Sequence, residues 1–135
     1  MDIIMLNLTL NEHALWVNSD EQRGKCANLR GAYLEGANLR EVNLQKANLQ
    51  GANFAGAKLR RGNLQAANLQ GANLQGAYLE YASFEGANLQ EANLQGAYLQ
   101  GANLAGAKLR GANLQKASLD PISRTYAESE GAILD

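Results

Sequence analysis

An all-β solenoid wound as a four-sided coil, about 20 residues to the turn, is the fold this sequence predicts. Three observations lead there. From Ala27 onward the chain divides into pentads whose central residue, termed the hub, is always apolar: Leu29, Leu34 and so on to Leu119, with Phe54 and Phe84 in the series, 19 hubs in all. A five-residue period cannot make an amphipathic helix, because successive hubs would move about 140° around the axis and form no stripe. The residue before the hub is Asn except at Tyr33, Lys58, Tyr78, Ser83, Tyr98, Lys108 and Ser118, and four of these, at 58, 78, 98 and 118, stand 20 apart.

Hub and hub−2 share one face of a strand, because side chains alternate with a period of two. Hub−2 is Ala in 17 of 19 pentads, the exceptions being Val42 and Gly62, so the interior column beside each hub is built for close backbone approach. Five is odd, so the next pentad would face outward unless the chain turned. Each pentad is therefore a very short strand and a corner. Gly at hub+2, in 11 of 19 pentads, supplies the positive φ that such a corner favours.

The elements follow in chain order. Residues 1–26 precede the repeats and read as a cap. Thr9-Leu10-Asn11-Glu12 has the form of a capping box that opens a short helix over about 9–18. Leu10, Ala14, Leu15 and Val17 are expected to cover the first coil, with His13 and Trp16 as packing residues of the cap. Residues 27–120 carry the coil. Asn28, Asn48, Asn68 and Asn88 are expected to stack as one amide ladder, and Asn53, Asn73, Asn93 and Asn113 as another. Over 121–135 the register persists while the hubs fail, with Arg124 and Ser129 in hub positions. That stretch reads as an irregular last coil or a C-terminal cap.

The motif A(N)LQG in tandem resembles the pentapeptide-repeat family, whose pattern is a small residue, Asp or Asn, Leu or Phe, then two polar or small residues. The resemblance covers about 27–120. It implies a right-handed quadrilateral β-helix of about five coils. The stretch EHALWVNSDEQRGKCANL resembles leaders that precede such repeats. Some members, including quinolone-resistance proteins, resemble a DNA duplex and bind DNA gyrase. A DNA-mimic role of that kind is the alternative function, and the Asn- and Gln-rich pentads here speak against it, because neutral amides do not imitate phosphates.

Totals narrow the function. Lys+Arg number 12 and Asp+Glu 13, so the chain lacks the basic field of a general nucleic-acid or membrane-surface binder. No segment approaches the roughly 20 apolar residues of a membrane span. The start, MDIIMLNLTLNEH, lacks the basic region and cleavage site of a signal peptide, and the expected location is cytoplasmic. With one His and one Cys there is no metal cluster, no nucleophile–base pair and no expected cofactor. Cys26 reads as a bystander. A non-catalytic structural or interaction scaffold is the expected function. Its partner is expected to be another protein, and a homodimer through a coil end is a second arrangement the ends allow.

One face departs from the monotony. Down hubs 39, 59, 79, 99 and 119, Gly at hub+2 falls to one in five, against ten of fourteen elsewhere. Lys58, Arg60, Arg61, Tyr78, Glu80, Tyr81 and Tyr98 lie along it. Tyr and Arg are the residues that anchor interfaces, so this column is the candidate partner-binding face. The competing expectation is local: a different turn type at these corners would admit bulky residues, with Tyr rings stacked on Lys58 or Arg60.

Overall fold

A computed structural model describes residues 1–135. Each pentad of the repeat contributes one bridged residue and one turn. The bridges are parallel and join residues 20 apart, as in Asn28 to Asn48, Asn48 to Asn68 and Asn68 to Asn88. Three bonds recur at each step. The hub N–H donates to the carbonyl before the hub above (Leu59 to Tyr78, 2.8 Å), whose own N–H returns to the Ala at hub−2 (Tyr78 to Ala57, 2.9 Å). The corner N–H at hub+2 donates upward as well (Arg61 to Glu80, 2.9 Å). Of 92 backbone hydrogen bonds only 17 lie inside helices, so coil-to-coil and corner bonds hold the backbone together.

Hubs and their Ala neighbours form one core of 34 buried residues, from Leu6 through the stacked Leu and Phe to Ala127. Removing each buried Leu from water contributes roughly 1.5–3 kcal/mol before chain entropy is counted. The two exceptions at hub−2 stack on each other. A methyl placed on Gly62 would stand 3.6 Å from Val42 Cγ1, in van der Waals contact, so the smallest residue lies above the largest.

Every corner has the same form. The N–H at hub+3 bonds back to the hub carbonyl, as in Ala82 to Leu79 at 3.1 Å. The residue at hub+2 has positive φ whether it is Gly71 at 68° or Tyr81 at 60°. Positive φ in the third place marks a type II turn. The expectation of a different turn type at the decorated corners therefore fails. Glu41, Arg61 and Tyr81 adopt φ of 59°, 60° and 60°, the conformation of the glycines around them.

The amide ladders are also corrected. Asn48 Nδ2 donates to Asn28 Oδ1 at 3.3 Å, and this is the one rung between stacked Asn side chains. Each Asn before a hub instead turns its Oδ1 onto the N–H two residues ahead, as Asn53 does to Ala55 at 3.0 Å and Asn73 to Gln75 at 3.1 Å. The acceptor needed for a ladder is already committed to an Asx turn at its own corner.

Helix α1, Ile3–Asn18, begins six residues before the expected start at 9. Asp2 is its N-cap, and the Asp2 carboxylate accepts from Ile4 N–H at 2.8 Å. Thr9 is mid-helix, with its hydroxyl bonded to the Met5 carbonyl at 2.9 Å, so the capping box does not form. The covering stripe shifts accordingly. Leu6 and His13 are buried and Leu10 packs against the core, whereas Leu15 keeps 36% of its surface in water. His13 Nδ1 accepts from Ala27 N–H at 2.9 Å, in the place that a hub carbonyl takes at every later corner. Its ring stacks on Trp16 with centroids 5.6 Å apart. Gly24, at φ 75°, is required where the chain returns, because a Cβ there would meet the Glu12 carbonyl oxygen at 2.3 Å.

The last coil is closed by helix α2, Pro121–Ser129. The stretch expected as an irregular last coil or a C-terminal cap is helical over most of its length, since Pro121 suits the first helical position and the polar 123–125 cannot continue the core. The Asp120 carbonyl opens this helix by accepting from Arg124 N–H, and the Asp120 carboxylate takes over the upward bond from Gly101 N–H at 2.8 Å. Asp135 does the same for Lys116 N–H at 2.8 Å. The chain returns to the ladder at Ile133, which bridges Asn113.

Candidate interaction face

The face with hubs 39 to 119 presents two parallel columns. The pre-hub column runs Asn38, Lys58, Tyr78, Tyr98 and Ser118, bridged rung to rung. The hub+1 column runs Arg40, Arg60, Glu80, Gln100 and Asp120. The ladder fixes the vertical spacing of side chains near 4.8 Å, so residues distant in sequence meet as neighbours. Tyr78 and Tyr98 stack with centroids 5.0 Å apart and planes 6° from parallel, and each keeps about two-fifths of its surface in water, 42% and 41%. Tyr81 is 55% exposed, with the Arg60 and Arg61 guanidinium carbons 5.4 and 5.3 Å from its ring centroid. Its ring also lies over Gly101, where an added Cβ would fall 2.5 Å from two ring carbons.

All seven sequence-predicted residues therefore lie on one surface, where stacking joins Tyr78 to Tyr98 and cation–π contacts join Tyr81 to Arg60 and Arg61. Lys58 does not join the Tyr81 contact. With Tyr78, Glu80, Arg60 and Arg40 it lines a small cleft of about 130 Å³. Arg40 was not among the predicted site residues. Its signal in the sequence is its place one coil below Arg60, in the same column. The cleft holds three cations and one carboxylate, yet the ion pairs of the chain, Lys46–Glu21 and Arg124–Glu128, lie elsewhere. Glu80 Oε1 is shut off from solvent and has no hydrogen-bond partner.

The thiol and imidazole are both in the N-terminal cap. Burial, reinforced by the charge of Glu21, pushes the Cys26 thiol up and away from the reactive thiolate. Burial pulls His13 below its ordinary 6.5, and the nearby backbone of Gln45 opposes this more weakly.

A sequence model of pentapeptide repeats matches residues 27–65, 63–96 and 87–120 in eight copies, about two-thirds of the chain. The chain belongs to the pentapeptide-repeat family. Solved structures of other pentapeptide-repeat proteins resemble this one. A protein from the thylakoid lumen of Arabidopsis thaliana is 32% identical over 78% of each chain, with a TM-score of 0.59. One from the cyanobacterium Cyanothece 51142 is 30% identical over 93% of this chain and 95% of that one, with a TM-score of 0.60. A third, from Nostoc Pcc 7120, is 27% identical over 93% of both chains, with a TM-score of 0.56. No curated protein matches this pentapeptide-repeat chain in sequence.

Proposed function

We propose that this pentapeptide-repeat protein is a non-catalytic scaffold, coiled right-handed like its family, that binds another protein through the face carrying Lys58, Arg60, Arg61, Tyr78, Glu80, Tyr81 and Tyr98. One observation carries the reading. Three of the four corners on this face, Glu41, Arg61 and Tyr81, hold side chains at positive φ, against one in five on two of the other faces and two of four on the third. An L-residue in that conformation costs roughly 1–2 kcal/mol relative to the usual region. Glycine would avoid the cost and occupies most other corners, so the side chains are kept at the expense of local stability. Strain retained at exposed Tyr and Arg is what a recognition surface requires.

The test is affinity capture from a lysate of the source organism, read by mass spectrometry. Wild type is compared with a variant in which Arg60, Arg61, Tyr78 and Tyr81 are all Ala. A partner held by the wild type and lost by the variant, with the melting curve nearly unchanged, is the expected result. Identical profiles, or a variant that no longer folds, would remove the support for this face.

A further inference from the structure

We infer that the cleft bounded by Arg40, Lys58, Arg60, Tyr78 and Glu80 receives a side-chain carboxylate from an acidic, extended segment of the partner. The inference rests on the protein-binding reading above and names the chemistry of what is bound.

Charge comes first. Arg40 and Arg60 are on successive rungs of one column, and Lys58 is on the adjacent column of the same rung as Arg60. None of the three forms an ion pair. Like charges on neighbouring rungs repel one another, and a carboxylate brought between them removes that repulsion. Arginine also offers a planar fork that matches a carboxylate in two bonds. A cleft of about 130 Å³ is the room of roughly four water molecules at ~30 Å³ each. That suits a carboxylate and its methylene.

The cleft then selects what carries the carboxylate. Glu80 Oε1 is occluded and lacks a donor, although it lines a site rich in cations. A buried carboxylate oxygen needs a hydrogen bond. A peptide whose docking shifts the Glu80 side chain supplies that bond from its backbone N–H while its Asp or Glu side chain reaches the cations. A simple anion brings negative charge to the cleft without a donor for Glu80. The backbone geometry favours the same occupant. Lys58 and Tyr78 replace the Asn that in most pentads accepts from the hub+1 N–H, so Arg60 and Glu80 N–H have no protein acceptor. They point a second pair of donors at whatever covers the column, and peptide carbonyls meet that need. The stacked Tyr78 and Tyr98 rings extend the surface beyond the cleft.

The experiment is fluorescence anisotropy with a labelled ten-residue peptide rich in Glu, against the same peptide with Gln for every Glu. The expected result is at least ten-fold preference for the acidic peptide, weakening as salt rises. Arg40→Gln with Lys58→Gln should weaken binding ten-fold or more with melting unchanged, whereas Lys108→Gln on another face should not. Equal binding of the two peptides, or an Arg40/Lys58 variant that binds like wild type, overturns the inference. So does a duplex DNA or inorganic phosphate that competes as well as the acidic peptide, since that describes a general anion patch. If lysate capture depends on Tyr78 and Tyr81 while the acidic peptide shows no preference, the scaffold reading stands and the acidic segment falls.

Discussion

At Gly101 two constraints meet: a φ of 71° and the ring of Tyr81 folded across the Cα. Gly71 has the first constraint alone, with φ 68° and open space where a Cβ would be. Gly71→Ala should therefore cost about 1–2 kcal/mol, the penalty of the left-handed conformation. Gly101→Ala should cost roughly 1–3 kcal/mol more, because the Tyr81 ring must be displaced. Urea midpoints of the two variants check this, and adding Tyr81→Ala to Gly101→Ala should remove the excess. Equal losses at both positions would mean that the ring is not held over Gly101. That the seven residues share one face was legible from the 20-residue period, which the exceptions to Asn reveal, and from the loss of Gly at its corners. The partnership of Tyr81 with Gly101 was not, because glycine is the ordinary residue at that position and nothing in its identity marks a ring above it. Arg40 was on the same face but stood one coil below the cluster, and only the cleft shows what it joins.

Both ends of the coil use side chains to stand in for a missing neighbour. His13 accepts from Ala27 below, and Asp120 and Asp135 accept from Gly101 and Lys116 above. His13 makes the lower substitution sensitive to acid. Its folded pKa is below 6.5, so as pH falls the unfolded chain takes up the proton first. The His13 contribution is complete above 6.5 and is lost as pH falls through that value toward the lower folded one. It is the one His in the chain, and ordinary carboxylates titrate near 4. Urea midpoints should therefore decline between about pH 7.5 and pH 5, with the decline absent in His13→Gln. A flat profile in the wild type would show that the imidazole is hydrated. The helices were the poorly legible elements. The near-continuous apolar run IIMLNLTL hides the phase of α1, and Asp2, the true cap, lies ahead of the pattern that suggested Thr9. The persistence of the pentad register across 121–135 concealed a helix that Pro121 starts.

For the molecule as a whole, each coil touches only the coils above and below it, so stability is transmitted along one axis. A defect in the middle interrupts contacts on both sides. Leu74, fully buried between Phe54 below and Leu94 above, should lose about 2–5 kcal/mol on change to Ala. Leu119, partly exposed under the C-terminal cap, should lose less. Denaturant unfolding of the two variants gives the comparison, and equal losses would argue that the caps bear as much as the centre. The coil itself was legible almost to the residue, because nineteen apolar hubs at one spacing leave no other way to bury them together.

The closure at 20 residues makes the coil a screw with four index positions. Gain or loss of a full turn changes the length by about 4.8 Å and returns every later residue to its former azimuth. Gain or loss of a single pentad hardly alters length but rotates everything above it by a quarter revolution. An insertion of five residues between Arg60 and Tyr78 would leave both halves of the core satisfied and send the tyrosines to a different side of the prism from the arginines. In this architecture the composition of a face is thus far more sensitive to indels than folding is, and only changes counted in whole turns keep every residue on its own side.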